Sequence, residues 1–305
     1  MTRAQQLWIE NLAIQVATAA ALAAVYFLAA PALRGSDPQQ AMVFLPSEQY
    51  AQAAIFVAMV LVLAAACALV TLPSRVEGAL ATVLLGAGGI SARSTQFRTL
   101  LWARSDGPLG LYLGLIAEVV VLTGLLLAVY GVVVGVRRIV AAAWPGWTWM
   151  PRTREPAEDA ASPRGQLSPA KGRSDLPRSL GATGLTIALG MVVVLVLLQS
   201  ADRGQVIFSV LAGSLLASLA ANRFSPPGRS FFVWLAPMAM GILFYTLGLA
   251  SSTGASGGNW TNVPLYAQAL PIDWLTAGSG GAALGCWFSQ RATEASRIDW
   301  SAAAS

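Results

Sequence analysis

Long uninterrupted apolar blocks dominate this chain and limit what it can fold into. They run Ala13 to Ala30, Ala51 to Leu72, Leu109 to Val136, Leu185 to Leu198, Val206 to Ala221 and Phe231 to Ala250, without the polar stripe of an amphipathic surface helix. A helix rising about 1.5 Å per residue needs roughly 20 residues to cross a hydrocarbon core of about 30 Å, and most of the blocks approach or exceed that length. Charged residues make up 11% of the chain, against about 25% in soluble domains. The expected fold is all-α, a polytopic transmembrane helix bundle whose solvent partner is the lipid bilayer.

The expected organisation has two membrane halves. Residues 1–144 hold spans at about 7–30, 51–72 and 108–136, plus a short apolar segment at 78–92 bracketed by Glu77 and Arg93. That segment covers only about 22 Å as a helix, so it reads either as a short crossing or as a re-entrant piece buried against its neighbours. The first span, with Trp8 before it and Tyr26 near its far end, is longer than the apolar core of a signal peptide and reads as an uncleaved span. Phe97, Leu100, Leu101 and Trp102 alternate with Arg93, Arg98 and Arg104, which predicts an interfacial helix lying on the bilayer. Residues 145–178, rich in Pro, Ser, Arg, Asp and Glu, read as a polar disordered linker. Residues 179–305 hold spans at about 179–199, 205–222, 230–250 and 270–288 and a short polar tail. The total is seven spans and a short eighth or re-entrant segment.

Orientation rests on Arg and Lys. A cytoplasmic linker puts Arg223, Arg229, Arg291 and Arg297 inside and leaves the Ser251 to Leu265 loop outside without a basic residue, as the positive-inside rule expects. The C-terminus is then cytoplasmic, in a plasma or inner membrane. The first half does not decide between its alternatives. With a crossing at 78–92, Arg3 and Arg75 are inside and Arg93, Arg98 and Arg104 outside; without it Arg34 is inside, and Arg3 and Arg75 join the outside set.

Several chemistries drop out. The chain has no histidine, so His-based triads, HExxH metal helices and His-ligated haem are excluded, and no metal or cofactor is expected. Cys67 and Cys286 fall inside apolar spans, where a thiol acts as a small hydrophobe. No compact basic run with interleaved aromatics tracks a phosphate backbone, so nucleic acid is not an expected partner. Gly86-Ala87-Gly88-Gly89 follows an apolar run, as in dinucleotide-binding turns, but lacks room for the βαβ unit and its distant acid. Asp37 and Glu48 are a carboxylate pair by proximity in sequence alone. Asn259-Trp260-Thr261 fits the glycosylation acceptor pattern.

Glu118 stands out as the one acid well inside a strong span, where a charged carboxylate costs on the order of 3 kcal/mol near the bilayer centre. Gly110, Gly114, Gly124, Gly131 and Gly135 fall on one face of the same helix with Glu118 at its margin, which predicts a packing face that buries the acid in protein. Two uses follow: a proton or cation coupling site, or a hydrogen-bonded clasp between helices. Gly213, Ala217 and Ala221 on one later span, and Ala277, Gly281 and Gly285 on the last, form further small-residue ridges for close helix approach, within the chain or with other membrane subunits. Pro271 and Asp273 open the last helix, the proline at a position needing no donor and the carboxylate toward the positive dipole end.

No single activity is legible from these residues. The expected function is a non-catalytic membrane subunit or scaffold that packs through Gly and Ala helix faces. The alternatives are a small solute, ion or proton transporter or channel using Glu118, and an intramembrane enzyme, which the missing histidine disfavours.

Overall fold

The computed structural model describes residues 3–33, 43–45, 49–95, 97, 100, 107–144, 171–224, 231–253 and 263–303. Every long element among them is helical. In chain order these are α1 (Arg3–Ala24), continued by a π-turn (Val25–Ala29) into Ala30–Leu33, then α2 (Tyr50–Val70), α3 (Val76–Arg93), α4 (Gly107–Ala143), α5 (Lys171–Leu197), α6 (Arg203–Phe224), α7 (Phe231–Thr253) and α8 (Ser279–Ala303). A short turn of helix (Pro271–Asp273) and a second π-turn (Trp274–Gly278) lead into α8.

Among the described residues six helices are long and apolar enough to cross a membrane, covering Trp8–Ala29, Tyr50–Val70, Pro108–Ala143, Ser179–Leu197, Arg203–Phe224 and Phe232–Ser252. The expected count of seven is therefore not exact. The segment at 270–288 falls outside the six for a physical reason: it is rich in Gly, Ala, Ser and Thr because it faces protein. Every residue from Ala267 to Ala283 is buried, and such a helix needs small side chains more than greasy ones.

The same holds for α3, an unbroken helix of 18 residues, about 27 Å long. It lies antiparallel to the last segment over its whole length. At one end Ser91 meets Asp273, and at the other Arg75 and Glu77 meet Gln290. This geometry is that of a complete buried helix, which is not among the six candidate spans. Its glycines explain how it fits. A Cβ on Gly86 would sit 2.5 Å from the Ala21 Cβ, and one on Gly89 would sit 2.8 Å from both Leu22 O and Tyr26 N, so α1 and α3 touch backbone to backbone where α1 changes to its π-turn. The Gly86 to Gly89 run is thus part of a helix contact.

Three further boundaries differ from expectation. The helix α5 begins at Lys171, inside the stretch read as linker, and contains Pro177; residues 145–170 lie outside the described residues. Phe97 and Leu100 are 2% and 5% exposed and belong to the protein core, so they do not lay an apolar face on lipid; Arg98, Leu101, Trp102 and Arg104 lie outside the described residues. So do Asp37, Glu48 and the Asn259 to Thr261 acceptor pattern.

Candidate functional site

The charged residues of the membrane body gather at its two ends. At the end where α4 stops and α5 starts, called the linker face below, Arg137 on α4 donates from Nη1 to Ser74 O and from Nη2 to Thr71 O, each at 2.7 Å. Thr71 and Ser74 form the turn between α2 and α3, in which Thr71 O already accepts from Ser74 N at 2.9 Å and Ser74 Oγ at 2.8 Å. The arginine therefore caps the helical hairpin from a third helix. Arg75 donates to Gln290 Oε1 at 3.3 Å, Gln290 donates to Glu77 Oε1 at 3.1 Å, and Arg291 pairs with Glu10.

At the opposite, distal face three chain segments converge on a buried ion pair. Arg203 opens α6, Asp273 closes the short turn before the second π-turn, and Ser91 sits near the end of α3. Arg203 grips Asp273 with both terminal nitrogens, Nη1 to Oδ2 at 2.5 Å and Nη2 to Oδ1. The same guanidinium donates to Ser91 O from Nη2 at 3.1 Å and from Nε at 3.3 Å, and the Ser91 hydroxyl donates to Asp273 Oδ1. Asp273 also accepts from Leu270 N at 2.6 Å while its own N–H donates to Leu270 O at 2.9 Å, a reciprocal cap of the helix start. Asp273 is fully buried and the Arg203 side chain is 13% exposed. A bidentate, fork-shaped pair whose remaining lone pairs are filled is the geometry in which a buried ion pair is tolerated.

Glu118 lies at the same distal level, buried to 1% exposure. Its Oε2 accepts from Phe44 N at 2.9 Å and Leu45 N at 3.1 Å, both in the connection between α1 and α2, while Oε1 is buried without a partner. Phe44 stacks on Phe56 of α2 with ring centroids 5.2 Å apart. Tyr245 of α7 donates to Ala269 O at 2.5 Å and lies within electrostatic reach of both Glu118 and Asp273. Along α4 the stretch from Glu118 to Arg137 measures about 28 Å, close to the thickness of a hydrocarbon core. Glu118 and Arg137 are thus separated along α4 by about the thickness of such a core.

Between the ends the buried polar groups are hydroxyls that mostly return to their own helix. Thr82, Thr186 and Thr276 donate to the carbonyl four residues back at 2.9, 2.8 and 2.7 Å, and Thr18 reaches Thr82 at 3.3 Å. Cys67 and Cys286 are both buried and free, with Asn222 Nδ2 donating to the Cys286 sulfur at 3.3 Å. Among the described residues no three His, Cys, Asp or Glu side chains come together.

The small-residue faces divide into two kinds. Gly213 meets Val194, Gly281 meets Leu211 O at 2.6 Å, and Gly285 meets Leu215 O at 2.7 Å, with a Cβ added at each as the probe; Ala217, Ala221 and Ala277 are buried beside them. Helices α5, α6 and α8 pack through these residues. The glycine face of α4 does the opposite. Gly110, Gly124 and Gly131 are exposed and Gly114 and Gly135 half-buried, and a Cβ on Gly124, Gly131 or Gly135 would meet nothing within 4 Å. The side of α4 that packs is the far one, with Leu111, Leu115, Val119, Leu122, Leu126, Val129 and Val133. Glu118 is thus buried within the chain by Phe44, Leu45 and the core, while the glycines of α4 look outward.

Arg203, Ser91 and Arg137 carry most of this polar architecture and were not foreseen as partners. Their separations along the chain leave no local pattern, although a lone Arg at the start of an apolar block is a usable cue. The fold and these two polar ends define a multi-pass α-helical membrane protein. No protein-family model, curated protein or solved structure matches the chain.

Proposed function

We propose that the protein is a non-catalytic membrane subunit, a helical scaffold joined by one membrane-spanning helix of another protein along the outward face of α4. The observation that carries this reading is the shape of that face. Gly110, Gly114, Ala117, Val121, Gly124, Ala128, Gly131 and Gly135 alternate in steps of four and three. Steps of four and three average 3.5 residues and keep one seam facing a partner through a left-handed supercoil. Outward glycine lowers helix stability by about 0.5–1 kcal/mol relative to alanine, a cost that close approach of a second backbone offsets. The fitting partner is a long apolar helix with its own Gly, Ala or Ser ridge, crossing at a shallow angle.

The distribution of charge supports a scaffold over a transporter. Transport sites lie near the bilayer midplane, whereas Arg75, Glu77, Arg137, Arg203, Asp273 and Arg291 sit toward the two ends and tie helices together. For orientation, Arg75, Arg137, Arg138, Arg223 and Arg291 share the linker face, which favours a cytoplasmic linker and C-terminus in a plasma or inner membrane.

Native mass spectrometry of the full chain extracted into nanodiscs tests the reading. The expected result is a complex with one different chain that is lost in Gly124→Leu/Gly131→Leu while the helical content stays unchanged. A complex of two copies of this chain contradicts the hetero-subunit reading. A lone chain that moves protons or solute in liposomes overturns the scaffold altogether.

A further inference from the structure

We propose that Glu118 is a proton site that latches the connection between α1 and α2. The segment Val43–Leu45 is wedged against the bundle: Val43 and Phe44 are 0% and 3% exposed, Phe44 stacks on Phe56, and Phe44 O accepts from Gln49 N at 3.0 Å at the foot of α2. The two N–H groups that point inward, Phe44 and Leu45, both donate to one carboxyl oxygen of Glu118. An ionised carboxylate makes these bonds charge-assisted, roughly twice as strong as neutral ones. A proton on the carboxyl removes that assistance, and Oε1, the buried oxygen without a partner, is the atom open to receive it. The proton then decides how firmly the segment is held.

Other titratable groups do not take over this role. On the elements packed against α4 they are Tyr50 and Cys67 of α2, Glu77 and Arg93 of α3, Tyr245 of α7, and Asp273 with its partner Arg203. Glu77 and Cys67 belong to the linker half, Arg93 covers the Tyr26 ring at 4.3 Å, and Asp273 is saturated by Arg203, Ser91 and Leu270. Tyr245, already bonded to Ala269 O, is in electrostatic reach of Glu118. The latch is independent of any partner helix, because Glu118 and the outward seam lie on different faces of α4.

Hydrogen–deuterium exchange of the full chain in nanodiscs, corrected for the intrinsic pH dependence of exchange, reads the latch directly. On acidification the amides of Phe44 and Leu45 should exchange roughly tenfold faster or more. In Glu118→Gln, neutral at every pH, they should exchange fast throughout. An unchanged protection in the wild type, or the same pH response in the Gln variant, overturns the proposal. Should Glu118→Gln not fold, Glu118→Asp keeps a titratable carboxyl on a shorter arm and must show the transition at a displaced midpoint; an undisplaced midpoint overturns the proposal equally.

Discussion

Replacing Arg203 by methionine isolates the energetics of the distal ion pair. The substitution keeps the apolar stem of the side chain and removes the guanidinium, so Asp273, fully buried, is left with Ser91 and Leu270 N as its partners. Removing one member of a buried pair costs about 3–5 kcal/mol, because the other charge is stranded. At about 1.4 kcal/mol per factor of ten, the folded fraction relative to unfolded falls by roughly two to three and a half orders of magnitude. Asp273→Asn is expected to cost less, since the released Arg203, 13% exposed, can turn toward water. The double variant Arg203→Met/Asp273→Asn carries no stranded charge, and the asparagine oxygen still accepts from Leu270 N. It should fall short of the sum of the singles by a few kcal/mol, the coupling expected of residues in one network. Unfolding by SDS titration in mixed micelles, followed by circular dichroism, supplies the four stabilities. Singles below about 1 kcal/mol each, or a double equal to their sum within about 0.5 kcal/mol, would refute the account of this pair as the tie between α3, α6 and the start of the last helix.

Two further predictions rest on the linker face and the glycines. Arg137→Met removes the charged donor from Ser74 O and Thr71 O, leaving Thr71 O with Ser74 N and Ser74 Oγ, and should cost about 1.5–3 kcal/mol, the usual worth of hydrogen bonds to a charged group, in the same titration. Gly89→Ala forces a Cβ to within 2.8 Å of α1 backbone atoms and should cost about 1–3 kcal/mol through overpacking, whereas Gly131→Ala meets open space and should stabilise the isolated chain by about 0.5–1 kcal/mol.

What the sequence disclosed and what it hid follow from the range of each physical cue. Apolar blocks are local, so the helices that face lipid were legible from Ala13 to Ala250. The helix α3 and the segment from Pro271 were harder to read because their neighbours are protein, and Gly78, Ala81, Thr82 or Ser279 are chosen there for size. Periodicity showed that α4 has a glycine face, yet a period says nothing of which face meets the bundle; the Leu111 to Val133 face does. Glu118 was conspicuous from its desolvation cost, but its partners are backbone N–H groups of Phe44 and Leu45, which leave no mark in side-chain identity. Asp273 was legible as a helix opening through Pro271, and the local Leu270 bond fits that reading, whereas its long-range partner Arg203 resembled an ordinary turn residue. The helix α4 is 37 residues long, about 55 Å and longer than a hydrocarbon core is thick, so its apolar run does not by itself fix the depth of Glu118.

The central claim is that the slab between the two polar ends is the hydrocarbon core, with Glu118 and Arg137 at its borders. Spin labels at the exposed α4 positions Leu113, Val120, Leu127 and Ile139, read by their accessibility to oxygen against a polar relaxant in nanodiscs, measure depth along this helix. The account predicts the deepest label at Leu127, midway between the two borders, with Leu113 and Ile139 shallow. A depth maximum between Leu113 and Val120 would put Glu118 at the midplane and contradict it.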